Sequence, residues 1–284
     1  VEILGPEEWR GRAEAHRRRV GAWLAPHLER RRRGEKHPVE DFLFTYYSYR
    51  PNRLQQWHPG AHVELVGARE YGRDYVDTER GATVDVDGLV ERRRASIEWT
   101  AALLSRTASR PAQFGCFGMH EWAMVYRAPE VRHEAWPMRL PADAIAGIVE
   151  ERGVRCSHYD AFRFFTGPAR PLNVLQPARE TQHELEQPGC LHANMDLYKW
   201  AYKLSPLVPS ELVADCFALA RDIRAVDMRA SPYDLERLGY PPIRIETAEG
   251  RAEYAALQRD FSRRAEPLRR RLLASCEAVL GVSV

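Results

Sequence analysis

The segment from Pro209 to Arg229 constrains the fold most, because it is the best-formed helix in the chain. Leu212, Cys216, Leu219 and Ile223 recur at helical spacing and predict a core-facing side. Glu211, Asp215, Asp222 and Arg229 run along another side, a stripe that is ordinarily solvated and could pair with Lys199 and Lys203 of the preceding element. Further amphipathic patterns predict helices over 6–33 (Trp9, Val20, Trp23, Leu24 and Leu28 inward), from Asp87 as cap to Leu104, over 143–151, and over 250–280. The last places Tyr254, Leu257, Phe261, Leu268 and Leu272 inward. Pro26 and Pro267 are expected to kink or divide their helices.

Strand-like pieces are short: HVELVG, DYV and ATVDV within 60–86, VRCSHYDAFRFF over 154–165, and IRI at 243–245. The predicted fold class is therefore α+β, mainly helical with a small antiparallel or mixed sheet. A length of 284 residues suits a single domain, 1–284, with the basic N-terminal helix 6–33 as an optional appendage. No repeat, GxGxxG, P-loop or GxSxG appears.

Arginines cluster at 17–19, 30–33, 92–94 and 269–271, but the net charge is only +2. That balance argues against a surface given over wholly to nucleic acid and leaves room for a local basic groove. The five cysteines form no CxxC, which argues against a zinc ribbon or a disulfide framework and fits a reducing cytoplasm. No apolar run reaches 18 residues and the charged N-terminal stretch lacks a signal-like apolar region, so neither a membrane span nor a secretory signal is expected.

Candidate chemistry concentrates in four places. Between Arg179 and Lys203, His192, Asp196, Lys199 and Lys203 fall on one predicted helical stripe, beside Met195, Tyr198 and Tyr202. Between His37 and Trp57, Pro38 suits a first helical turn, with Phe42, Tyr46 and Tyr49 on one face and Phe44 and Tyr47 flanking it. This segment reads as core packing or as an aromatic-walled pocket with Glu40 at its mouth. In QFGCFGMHEWAMVYR, His120 and Glu121 are adjacent, and Met124 rules out HExxH. On a helix those two side chains point different ways. On the predicted strand 154–165, Cys156, His158 and Asp160 share one face, a pattern that can chelate a metal or orient an imidazole beside a carboxylate. Glu180 and His183 form an ExxH, as do Glu130 and His133, short of what a di-iron bundle needs.

The segments HPVEDFLFTYYSYRP, FGCFGMHEWAMVYR, CSHYDAFRFFT and QPGCLHANMDLYKWAYKLSPLVPSEL together resemble an actinobacterial protein family whose members commonly carry the label 3-methyladenine DNA glycosylase. The resemblance runs from residue 37 onward and implies hydrolysis of the N-glycosidic bond of alkylated purines, with DNA as partner. The chain has neither a helix-hairpin-helix signature of the Leu-Pro-Gly-Val-Gly type nor a helical repeat of constant period, and no catalytic residue carries over by motif.

Three functions follow. A base glycosylase needs stacking faces and a carboxylate beside the sugar. Asp160, Asp196 or Glu40 would act there with His158 or His192, while Phe42, Tyr46, Tyr47, Lys199 and Arg50 bind substrate. A metal-dependent enzyme acting on a small molecule would draw Fe, Mn or Zn ligands from Glu40, His120, Glu121, His158, Asp160, His192 and Asp196. A non-catalytic binding protein would use these groups structurally.

Overall fold

The structure is a computed structural model that describes residues 1–129 and 135–281. In chain order it contains β1 (Glu2–Leu4), α1 (Pro6–Arg33), α2 (Phe42–Tyr46), α3 (Pro51–Gln55), β2 (Val63–Val66), β3 (Tyr75–Asp77), β4 (Gly81–Val84) and α4 (Val86–Ala108). There follow α5 (Met119–Ala123), α6 (Ala142–Arg152), α7 (Tyr159–Phe162), α8 (Gln182–Leu185), α9 (Leu191–Met195), α10 (Leu197–Leu204), α11 (Ser210–Ala230) and α12 (Ala248–Leu280). The chain is mainly helical with one small mixed sheet, as the periodicity predicts. By its contacts it divides into two compact units, one of Val1–Ser105, Leu197–Ala218 and Pro267–Val284, the other of Arg106–Asp196 and Leu219–Glu266.

In the first unit the sheet order is β1-β2-β4-β3. β1 runs parallel to β2, and the β2–β4 and β4–β3 pairs are antiparallel. Leu4, Trp57, Val63, Leu65 and Ala68 form its buried cluster, with Trp9 packed against them. Gly81 is required where β4 begins, since a Cβ there would overlap the Leu65 carbonyl oxygen.

Helix α1 runs unbroken through Pro26. Pro6 opens it, Glu7 and Glu8 occupy the positive first turn and Arg30 to Arg33 the negative last turn. Val20 and Leu24 are buried on it, but Leu28 is exposed. Most of the arginine runs are answered by carboxylates: Arg17 and Arg18 by Glu14, Arg32 and Arg33 by Glu29, Arg19 and Arg271 by Asp215.

The aromatic segment differs from its expectation. It forms two short helices, α2 and α3, and Tyr49 lies outside both. Phe42 and Tyr46 stack on each other at 4.9 Å, and Tyr49 stacks on Tyr202 at 4.7 Å. Tyr47 is buried against Tyr198. Glu40 accepts from Arg30 Nη1 at 2.9 Å. Arg50 is exposed at the start of α3. Lys199 and Lys203 lie 4.7 and 5.5 Å from the centre of the Trp200 ring, and α9 and α10 are separate helices that meet at Asp196.

Asp41 ties α1 to the segment that follows it. It accepts from His27 Nδ1 (2.9 Å), Arg30 Nη2 (2.6 Å) and the His37 N–H (2.8 Å). Burial pushes its carboxyl up, but the Arg30 and His27 hydrogen bonds outweigh burial and hold it below the ordinary range. A lowered carboxyl stabilises the fold above its unfolded pKa and loses that contribution as pH falls through the folded value. Asp41→Asn should therefore cost about 2 kcal/mol at pH 7. The gap to the wild type should close as urea melts are repeated from about pH 4 downward. A gap independent of pH would refute the ionic role.

In the second unit, residues 154–165 are not a strand. Val154 makes one isolated bridge to Asn173, and Tyr159–Phe162 is helical. The aromatic content favours a strand locally, but the His158 side chain accepts from the Ala161 N–H and caps α7. Cys156, His158 and Asp160 therefore do not alternate on one face. Residues 243–245 are likewise not a strand, with Ile243 and Ile245 buried in the approach to α12. The cap of α4 is Asp85, whose Oδ1 accepts from the Gly88 N–H, and Asp87 lies in the first turn. The pair Glu130 and His133 lies outside the described residues.

Candidate metal centre

The second unit brings buried imidazoles and carboxylates together from five elements. Phe117 and Gly118 both take left-handed backbone, with φ of 47° and 72°, and this turn launches α5. A Cβ on Gly118 would press on Tyr254 at 3.3 Å. Trp122, fully buried, anchors α5 by donating to the Ala230 carbonyl at 2.8 Å. His120 Nε2 then donates to Asp227 Oδ1 on α11 at 2.7 Å, and its Nδ1 lies 3.5 Å from Cys116 Sγ. Glu121 faces Arg224 Nη1 at 3.3 Å. His192 Nε2, on α9, stands 3.9 Å from Asp227 Oδ2. His120, Glu121, His192 and Asp227 each offer a donor atom, all within 4.8 Å of one another.

A second set adjoins the first. The cap on Ala161 turns His158 Nε2 toward Glu186 Oε1 (3.4 Å) and Asp196 Oδ2 (3.3 Å). Glu186 ends α8 and also accepts from Gln182 Nε2 at 2.6 Å. Asp196 ends α9, its N–H bonded to the His192 carbonyl. These three side chains are almost wholly buried, and their donor atoms also lie within 4.8 Å of one another. His192 joins the sets: its ring is 4.5 Å from that of His120, edge to face, and 5.4 Å from that of His158, stacked.

The protonation of the groups follows from burial and charge. Burial and the neighbouring His120 drive His192 down to about 3, so its ring is neutral and keeps a lone pair at physiological pH. Burial lowers His120, but Asp227 more than offsets it and holds the imidazole well above its ordinary value. Asp227 is the converse: burial raises it, and His120 pulls it below the ordinary carboxylate range. Burial, with Asp227 alongside, raises Glu121.

A cavity of about 20 Å³, the room of a single water, opens beside His120 and His192 and is also lined by Cys116, Cys190, Tyr254 and Gln258. The Gln258 amide has one orientation there. Its Nε2 donates to the Gly189 carbonyl at 2.6 Å, which can only accept, so Oε1 is the other end. That oxygen is buried and receives no hydrogen bond.

Of the sequence candidates, His120, Glu121, His158, His192 and Asp196 enter these sets. The adjacent residues His120 and Glu121 do converge, because α11 presents Asp227 to His120 and Arg224 to Glu121. Asp160 does not join. It lies in the first turn of α7 and pairs with Arg163 Nε at 3.1 Å. Glu40, Phe42, Tyr46, Tyr47, Arg50 and Lys199 belong to the first unit. Glu180 is exposed and, like His183, is in neither set. Sequence reasoning missed Asp227, Arg224 and Glu186. Asp227 had a signal: it continues the buried series Cys216, Ala220 and Ile223, a carboxylate where an apolar residue is due. Glu186, in a Pro-rich connector, had none.

Compared with known proteins, the chain matches no protein-family model, no curated protein and no solved structure.

Proposed function

We propose that the protein is a metal-dependent enzyme acting on a small molecule, with an ion held by His120, Glu121, His192 and Asp227. The observation that carries this reading is Asp227 Oδ2. It is an oxygen of a fully buried carboxylate that no nitrogen donor reaches within hydrogen-bond distance, and the Glu121 carboxyl, raised by burial and by Asp227, lies alongside that carboxylate. Its neighbours Arg224 Nη1 and His192 Nε2 stand at 3.6 and 3.9 Å. An ionised oxygen in the interior is costly without a partner, and a cation among these donors would supply one. Two imidazole nitrogens and two carboxylate oxygens suit Fe, Mn or Zn, with His120 Nε2 giving up to solvent, as the ion binds, the proton it now donates to Asp227. A divalent ion there would supply Lewis acidity and acidify a bound water. The one-water cavity adjoins the two imidazoles, and Gln258 Oε1 can accept that water's hydrogen. Cys116 supports His120 from its other ring nitrogen, as a partner behind a ligand does.

Metal analysis of purified, tag-free protein tests this. Near-stoichiometric Fe, Mn or Zn is expected, and His192→Ala should lose it. Protein that stays metal-free after supplementation with all three ions refutes the reading.

One contact favours base excision as a second reading: His158 Nε2 lies 3.3 Å from Asp196 Oδ2, the imidazole–carboxylate pair that chemistry needs. On that reading, chelator-treated protein releases methylated purines from alkylated DNA. Against it, the arginines of α1 at 17–19, 30, 32 and 33 are already paired with carboxylates.

A further inference from the structure

We infer that the centre takes two ions, the second held by His158, Glu186 and Asp196 beside the first. This rests on the metal-dependent reading above and extends it from a mononuclear to a dinuclear site.

The donor chemistry is the first ground. One imidazole nitrogen and two carboxylate oxygens, within 4.8 Å of one another, are the ligand types that divalent Fe, Mn and Zn share. Burial is the second. Glu186 and Asp196 are 2% and 1% exposed beside His158, and a divalent cation is the kind of partner that carboxylate oxygens this far from water take. Orientation is the third. Gln182 Nε2 holds Glu186 Oε1 at 2.6 Å, and in the ion-free state the Ala161 N–H sets the His158 ring with Nε2 toward the carboxylates. Partners behind the ligands are how proteins hold a coordination sphere in place.

Proximity makes the two positions one centre. His192, a ligand in the first set, stacks on His158 at 5.4 Å and meets His120 at 4.5 Å. Asp196 and His192 are four residues apart at the end of α9, so a single helical turn carries one ligand of each set. Paired ions a few ångströms apart clamp both the attacking and the leaving oxygen of a displacement. The substrate class implied is an ester, amide or phosphate hydrolysed by water, and the one-water cavity beside His120 and His192 has room for the attacking molecule.

Because Nδ1 accepts from Ala161, the ion-free neutral ring carries its proton on Nε2. Ion entry at Nε2 displaces that proton, and Nδ1 takes up a proton in its place. It also breaks the 3.3 Å bond from the Ala161 N–H to Nδ1, so the cap on α7 and the ion at Nε2 are alternatives.

The test is metal stoichiometry of the full chain with Mn(II), read by elemental analysis and by electron paramagnetic resonance. Wild type is expected to bind two Mn(II) per chain, with the signal per ion falling as the second equivalent binds and couples to the first. The Glu186→Gln/Asp196→Asn double variant should bind half as much, one ion with an uncoupled signal. One ion in both proteins overturns the dinuclear centre and leaves the mononuclear reading intact. One ion in wild type and none in the double variant also overturns it. No ion in wild type refutes the metal-dependent reading itself. The wild-type titration decides the matter even when the double variant does not fold, since two uncoupled ions or a single ion contradict the proposal.

Discussion

Asp227→Asn is expected to weaken divalent-metal binding by about 100-fold or more, at least the scale on which loss of a partner behind a ligand is felt. The substitution keeps the shape of the side chain and an oxygen for the His120 Nε2–H, now at 2.7 Å. It removes the charge and the second oxygen, the one that receives no hydrogen bond. The ion-free protein should therefore change by only about 1–2 kcal/mol, the value of one charge-assisted hydrogen bond exchanged for a neutral one. Metal titration by calorimetry, run beside a denaturation curve with chelator present, separates the two quantities. If the Asp227→Asn variant binds metal as tightly as wild type, Asp227 leaves the ligand set.

Arg224→Met should show the opposite pattern. Arg224 is 2% exposed and lies 3.3 Å from Glu121 and 3.6 Å from Asp227. Methionine fills much of the space but leaves two buried carboxylates facing each other without the guanidinium. Breaking a buried pair in this way costs about 3–5 kcal/mol. In thermal melts of ion-free protein that is a loss of roughly 6–15 °C. A bound divalent ion neutralises the same two carboxylates. Metal should therefore raise the melting temperature of the variant more than that of wild type and narrow the gap. An equal deficit with and without metal would mean that Arg224 acts by packing alone.

The two substitutions touch neighbouring atoms of one network and are not independent. Asp227→Asn removes one of the carboxylates that Arg224→Met leaves exposed to repulsion. The double variant should be more stable, when ion-free, than the sum of the single losses implies.

Much of the fold was legible before the structure. Helices α1, α11 and α12 follow from apolar residues at helical spacing, which records the single face each must bury. The strands β2, β3 and β4 follow from short β-prone runs around Glu79-Arg80-Gly81. β1 was not legible: three residues carry no period, and only pairing with β2 makes Glu2–Leu4 a strand. The strand expected at 154–165 failed because a local hydrogen bond, from the Ala161 N–H to His158, outweighs a propensity that expresses mainly side-chain packing. Pro26 and Pro267 do not divide their helices, which remain continuous across both residues.

For the candidate centre, residue types and their separation along one helical turn could be read directly from the chain. His192 and Asp196 were recognisable as a pair for that reason, and His120 and Glu121 as neighbours. It took the packed molecule to show that Asp227, 107 residues from His120, closes the first set, and that Glu186 rather than Asp160 completes the second. Coordination depends on atoms meeting within a few ångströms across the core, and chain packing sets those separations where local spacing cannot. A buried carboxylate is the partial exception. Asp227 interrupts an apolar stripe, and the cost of burying a charge means that such an interruption marks a partner elsewhere in the chain, though it cannot name that partner.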